Sequence, residues 1–252
     1  MNLIERFFES TVIKFILFFS LYLFTTSVLA APQETRLSKV TSSIKAQQPL
    51  DVLCLGEESA LLFGAYLHGM DTIDPSKQEL ENRKLLDTIA KELNMRIAIP
   101  RSKDSCSPTK EKTCWIQSSR EDVTKTYEAI ASSVSKCFPQ DAKFGLIAFS
   151  NGGYLAGKIV NYCITPQPLW AILIGSGGTA REISRPSLKE CAPLFILIGK
   201  NDLANKSAKN YKSQMERLGA DVKLTEFQGG HVVPFDSLVS TLKDIIKKNK
   251  AR

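Results

Sequence analysis

Residues 145–154 read Gly-Leu-Ile-Ala-Phe-Ser150-Asn-Gly-Gly-Tyr. An apolar run passes straight into Ser150, and small residues then open a helix-like segment at 152–162. A nucleophile on so sharp a strand-to-helix turn needs small neighbours two residues to either side, because the backbone doubles back there. Ala148 and Gly152 hold those two places. The pattern has a plainer alternative, since a Ser at a strand–helix junction commonly caps the helix. A phosphate-cradling loop would also be rich in Gly, but the Gly-Lys-Ser/Thr that it requires is missing here.

Outward from this segment the chain alternates between two patterns. Runs at 51–55, 60–67, 95–99, 144–149, 169–174, 194–198 and 222–227 read as strands, and Pro100 closes the third. Between them, 78–93 carries Leu80, Leu85, Leu86, Ile89 and Leu93 at helical spacing. The segment 119–136 opens with Ser119-x-x-Asp122, a capping-box-like start, and then aligns Val123, Tyr127, Ile130 and Val134. Segments 208–218 and 235–248 complete the helical set. The runs 169–174 and 194–198 lack polar alternation, as strands covered on both faces do. This predicts a single α/β domain over 50–252, with a central, mostly parallel sheet and helices on both faces.

Length and composition agree with one folded domain. The chain has 252 residues, 43% of them apolar and 23% charged, which excludes a disordered or collagen-like polymer. It carries two His and no Cys-x-x-Cys, so the usual zinc spacings are absent and neither a metal nor an organic cofactor is implied. The net charge of +7 comes with no Arg stripe interleaved with aromatics, and no nucleic-acid partner is expected. Lys243, Lys247, Lys248, Lys250 and Arg252 suit a helix C-terminus instead.

Residues 15–24 are Phe-Ile-Leu-Phe-Phe-Ser-Leu-Tyr-Leu-Phe, followed by small residues up to Ala30-Ala31-Pro32. An apolar core about half of the roughly 20 residues that span a bilayer, ending in small residues, predicts a signal peptide over 1–30. An uncleaved anchor is the alternative, because Glu5 and Glu9 offset Arg6 and Lys14. Residues 31–49, polar and without periodicity, read as a linker. Export to a secreted or periplasmic location would let the six Cys pair. Cys106 and Cys114 are close enough in sequence to staple one loop, while Cys54, Cys137, Cys163 and Cys191 stay unassigned.

The small-x-Ser150-x-Gly turn resembles the nucleophile elbow of the α/β-hydrolase family, with Ala148 where the first Gly usually stands. The resemblance implies an acid after the second strand beyond the elbow and a His after the last strand. Leu194-Phe-Ile-Leu-Ile-Gly-Lys-Asn-Asp202 and Phe227-Gln-Gly-Gly-His231 supply them in that order. The implied catalytic set is Ser150, Asp202 and His231. Asp221 and Glu226 are alternative carboxylates, Asp202 could instead cap a helix near Asn205, and His231 could be an ordinary loop residue. Tyr66-Leu-His68-Gly69-Met70 follows an early strand as the family's His-Gly segment does. The resemblance therefore assigns the oxyanion hole to the Met70 and Asn151 N–H groups, with His68 shaping the turn.

Substrate contacts are expected from His68, Gly69 and Trp115. The Cys114-Trp115 dipeptide is similar to one in secreted polyhydroxybutyrate-depolymerase and feruloyl-esterase relatives. Trp115 would either stack on substrate or pack against a Cys106–Cys114 staple, within a loop 101–118 at the site mouth. The gap at 176–193 is short and polar, unlike an apolar lipase lid. Together these imply hydrolysis of soluble or polymeric carboxylic esters without a large lid. A peptidase or acyltransferase using the same residues, and a non-catalytic binding protein, are the alternatives.

Overall fold

A computed structural model describes residues 50–178 and 187–250. The expected signal peptide, the linker and residues 179–186 of the 176–193 gap lie outside them. Among the described residues nine strands and five helices follow one another. They are β1 (Asp51–Leu55), β2 (Leu62–Leu67), β3 (Asp71–Thr72), α1 (Lys77–Glu92), β4 (Met95–Arg101), β5 (Lys112–Thr113) and α2 (Arg120–Val134). After these come β6 (Gly145–Phe149), α3 (Asn151–Tyr162), β7 (Ala171–Ile174), β8 (Leu194–Gly199), α4 (Asn205–Arg217), β9 (Val222–Phe227) and α5 (Phe235–Lys250).

Seven strands form one sheet in the order β1-β4-β2-β6-β7-β8-β9, and only β1 runs antiparallel to its neighbour. Alternate side chains along each strand enter opposite cores. Leu67, Leu146, Ala148, Leu173 and Ile196 pack with α2, α3 and α4 on one face. Tyr66, Ile147, Phe149, Ile172 and Leu197 pack with α1 and α5 on the other. With both faces covered, continuous apolar runs are the stable sequence for these strands.

Chain order reverses at the β2–β6 pair: β4 lies on one side of β2 and β6 on the other. In open α/β sheets such a reversal leaves a crevice at the strand C-termini. Leu67 pairs with Ala148 there, so the chain leaving β2 at His68 and Gly69 rises beside Phe149 and Ser150.

Two details differ from the sequence expectation. The third strand continues through Pro100, which faces Val52 of β1. The β2 pairing has ended by then, its last partner being Ala98, so the missing proline N–H costs the ladder nothing on that side. The disulfides are Cys54–Cys137 and Cys163–Cys191, while Cys106 and Cys114 are free thiols. The proposed Cys106–Cys114 staple is therefore corrected. Backbone bonds already hold that loop, Cys106 N–H to Lys112 O and Cys114 N–H to Asp104 O. No described helix is long and apolar enough to cross a membrane.

Candidate active site

Ser150 sits between β6 and α3 with φ 52° and ψ −115°, a left-handed backbone that a non-glycine residue adopts only under constraint. The constraint is visible in what surrounds it. Ser150 N–H bonds Ile174 O at 2.9 Å, and Gly152 N–H bonds His68 O at 3.1 Å. A Cβ on Gly152 would stand 2.3 Å from Leu67 O, so the turn closes only with glycine there. Ser150 makes no side-chain cap bond to α3, which removes the helix-cap reading of its hydroxyl.

The hydroxyl engages His231 instead. Ser150 Oγ lies 2.9 Å from His231 Nε2, and His231 Nδ1 lies 2.8 Å from Asp202 Oδ2. A carboxylate only accepts, so Nδ1 carries the proton and Nε2 is free to accept from Ser150. Asp202 is buried and its Oδ1 accepts Ala204 N–H at 2.8 Å, so one carboxylate both orients His231 and ties down the turn before α4. Glu226, the alternative acid, is taken up by Lys209 at 2.8 Å and Asn205 at 3.1 Å. Gly175, at φ 60°, passes so close that a Cβ there would come within 3.0 Å of the His231 ring. Phe149 supports the ring from 4.9 Å between centroids. Gln78 on α1 donates to His231 O at 3.2 Å.

The chain leaving β2 forms the adjoining wall. A Cβ on Gly69 would be 3.1 Å from Ser150 Cβ, so the His68–Met70 turn abuts the hydroxyl. Asn151 opens α3, where first-turn N–H groups have no intrahelical acceptor. Asp71, directly after Met70, pins this turn. Its Oδ1 accepts Ser76 N–H at 3.0 Å, and Arg101 sits 3.3 Å from Oδ2 as an ion pair whose geometry makes no hydrogen bond. Arg101 also donates to Thr72 O, and to Ile73 O at 2.7 Å. Burial works to raise the Asp71 carboxyl, but the bonds from Ser76 and Thr72 and the Arg101 charge hold it below the ordinary range.

His68 and Trp115, expected at the substrate, are both buried side chains. His68 is fully buried, its Nδ1–H donates to Gly69 O at 2.6 Å, and Nε2 accepts Ser102 N–H at 3.1 Å. Burial lowers its pKa to about 4, despite the bond to Gly69, and both ring nitrogens are occupied. Trp115 is 2% exposed, stacks at 4.9 Å on the His68 ring and donates Nε1–H to His68 O at 2.9 Å. Its own N–H bonds Asn151 Oδ1 at 2.7 Å. Both aromatic side chains therefore buttress the turn from behind, and Trp115 has no Cys106–Cys114 bridge to pack against. Cys114 beside Trp115 is a buried thiol, pushed up to about 12 by burial and by the neighbouring Cys106.

Sequence reasoning missed Asp71, Arg101, Gln78 and Gly175. Asp71 and Arg101 belong to segments that meet only in space, so no local pattern marks them. Gly175 stood in the visible run Gly175-Ser-Gly-Gly178 at a strand end, where consecutive small residues signal close backbone approach. Among the described residues no group of His, Cys, Asp or Glu is placed to hold a metal ion.

The family model described as "Serine hydrolase (FSH1)" matches residues 73–241. No curated protein matches the chain. Among solved structures, acyl-protein thioesterase 2 of Zea mays superposes with a TM-score of 0.60 at 16% identity, over 77% of this chain and 98% of its own. A Bacillus cereus carboxylesterase gives 0.58 at 18% identity, covering 79% and 94%. Esterase PE8 gives 0.54 at 18% identity, covering 78% and 99%. At such identities the likeness is one of fold, and the fold is that of the α/β-hydrolases.

Proposed function

The chain belongs to the serine hydrolase family described as FSH1, and from that premise we propose that it hydrolyses carboxylic esters through Ser150, His231 and Asp202. One observation carries this reading. The hydroxyl, the imidazole and the carboxylate form an unbroken hydrogen-bonded line of 2.9 Å and 2.8 Å.

A serine hydroxyl is a weak nucleophile at neutral pH. In the proposed reaction Ser150 Oγ attacks the ester carbonyl while its proton passes to His231 Nε2. Asp202 holds the resulting imidazolium by accepting from Nδ1. The oxyanion that forms is met by the Met70 and Asn151 N–H groups, each such donor being worth about 10²–10³ in rate. His231 then returns the proton to the departing alcohol oxygen, leaving an acyl-Ser150 that water cleaves by the same steps in reverse. The His231 side chain is 45% exposed, which favours an ester approached from open water rather than one admitted beneath a flap. The two disulfides, with the apolar N-terminal run of the sequence, support export from the reducing cytosol.

Labelling by a fluorophosphonate probe and turnover of p-nitrophenyl butyrate test the assignment. Ser150→Ala should abolish labelling and lower kcat by on the order of 10⁶-fold, and Asp202→Asn by about 10⁴-fold. Hydrolysis that survives Ser150→Ala unchanged would overturn it.

A further inference from the structure

A general base must stay within hydrogen-bond reach of its hydroxyl, and a displacement of its backbone carries the ring away with it. The His231 ring is held by Ser150, Asp202 and Phe149. Its backbone is less secure. Gly229, at φ 142°, and Gly230, with open space where a side chain would stand, lead into it. Asn201 N–H bonds Gly229 O at 2.9 Å and Val232 N–H bonds Gly230 O at 3.1 Å, so both contacts bypass His231. Among the described residues one hydrogen bond reaches the His231 backbone, and it comes from α1. Gln78 Nε2 donates to His231 O at 3.2 Å, across 153 positions of sequence.

Gln78 itself stands on a fixed post. Asp71 Oδ1 accepts Ser76 N–H at 3.0 Å, and Ser76 Oγ accepts Glu79 N–H at 3.3 Å, so the first turn of α1 is tied to the segment after Met70. Glu79, next to Gln78, is buried and accepts Tyr66 O–H at 3.3 Å and Arg83 Nε–H at 3.1 Å. Asn82 Nδ2 donates to Tyr66 Oη at 3.1 Å. Tyr66 lies on β2, the strand that runs on into His68, Gly69 and Met70. The first turn of α1 is thus locked to β2 by buried polar groups.

We propose that Gln78 is a positioning residue for His231, which ties the loop bearing the base to the strand from which the Met70 turn leaves. The proposal rests on the reading that His231 is the base for Ser150. Without Gln78 the backbone of this loop is referenced to β9 and to Asn201 after β8, which lie on the other side of β6 from β2. With it, His231 and the Met70 N–H share β2 as one reference, and Ser150 stands between them. Gln78 is exposed and spends its N–H on a backbone carbonyl, so it acts through the position of His231.

Turnover of p-nitrophenyl butyrate and the rate of fluorophosphonate labelling are compared in wild type, Gln78→Ala, Gln78→Glu and Gln78→Arg, with melting temperatures measured in parallel. Gln78→Ala should lower kcat and the labelling rate by about three- to tenfold, the rate equivalent of one exposed hydrogen bond, with KM within about twofold and melting unchanged. Gln78→Glu keeps the shape but has no N–H to give. It should lose as much, although its charge alone would favour the imidazolium. Gln78→Arg restores a long N–H donor and should return to within about twofold of wild type. Lys77→Ala, at the exposed neighbouring position, should leave every value unchanged. Wild-type rates in Gln78→Ala and Gln78→Glu overturn the proposal, as does a loss confined to KM, which would make Gln78 a substrate contact. A loss that Gln78→Arg does not recover, or one that follows a fall in melting temperature, overturns it equally. Wild-type protein that neither labels nor turns over removes the reading of His231 as the base, and the proposal with it.

Discussion

The two histidines of this chain differ by burial, and burial decides what each can do. His231 keeps a half-exposed ring between a hydroxyl and a carboxylate, whereas His68 spends both nitrogens on backbone groups inside the fold. Ionising His68 would place a charge inside the packed fold and break the bond from Ser102. Its pKa, lowered from 6.5 to about 4, expresses that cost. The unfolded chain takes up a proton near pH 6.5 that the folded chain refuses until about pH 4, so stability falls as pH drops through this window. The loss is on the order of 3 kcal/mol. Asp71 works in the same direction at lower pH, since its depressed carboxyl stabilises the fold until it too is protonated, below its ordinary 3.8. Urea midpoints measured from pH 7 to pH 4 should therefore converge for wild type and His68→Gln. A constant gap between the two would contradict the assignment. The sequence order Ser-Asp-His made the three approaching side chains legible, each in a position that chain order and the hydrolase resemblance supply. The turn-shaping place of His68 was legible from the same resemblance, but the choice between stacking and packing for Trp115 was not, because its partners His68 and Asn151 come from distant segments.

At the scale of elements, the β6–α3 turn explains why so little of the motif can vary. Ala148 lies within β6 and its methyl is absorbed in the core, which is why alanine serves where the family pattern has glycine. Gly152 has no such latitude. Its missing Cβ would meet the Leu67 and His68 carbonyls at 2.3 Å and 2.7 Å, and both are backbone atoms of the neighbouring strand end. Relief would require separating β2 from α3, the two elements that hold the Met70 turn beside Ser150. Gly152→Ala should cost about 2 kcal/mol or more of stability. At temperatures where the variant is still folded, fluorophosphonate labelling should slow by at least about tenfold. A variant that melts and labels like wild type would show that the turn yields more easily than its packing implies. Strands and helices of ordinary length were readable from periodicity, β1 and β9 to the residue. The two-residue strands β3 and β5 are too short to carry a period, yet their pairing of Asp71 with Thr113 ties the Met70 turn to the loop that bears Trp115.

For the molecule as a whole, two disulfides tie the sheet to the helices that cover it. Cys54 lies on β1, an edge strand that runs antiparallel to the rest of the seven-stranded sheet, and joins Cys137 just beyond α2 over 83 residues of chain. Cys163, at the end of α3, joins Cys191 just before β8 over 28 residues. These partners were not legible in the sequence, because six cysteines admit many pairings and the nearest pair along the chain, Cys106 and Cys114, is not bonded. Closing a longer loop removes more freedom from the unfolded chain. By that argument the first bridge is worth about 4.5 kcal/mol and the second about 3.6 kcal/mol. The two should also differ in what they protect. Loss of the first frees an edge strand on the β4 side of the sheet, remote from Asp202 and His231. Loss of the second loosens the join between the elbow helix and β8, whose end carries Asp202. Cys54→Ala/Cys137→Ala should therefore lower the denaturation midpoint more than Cys163→Ala/Cys191→Ala. The second pair should have the larger effect on kcat under conditions where both variants remain folded. Equal losses of activity from the two pairs would mean that the bridges act only through global stability and that neither holds the Ser150–Asp202 geometry.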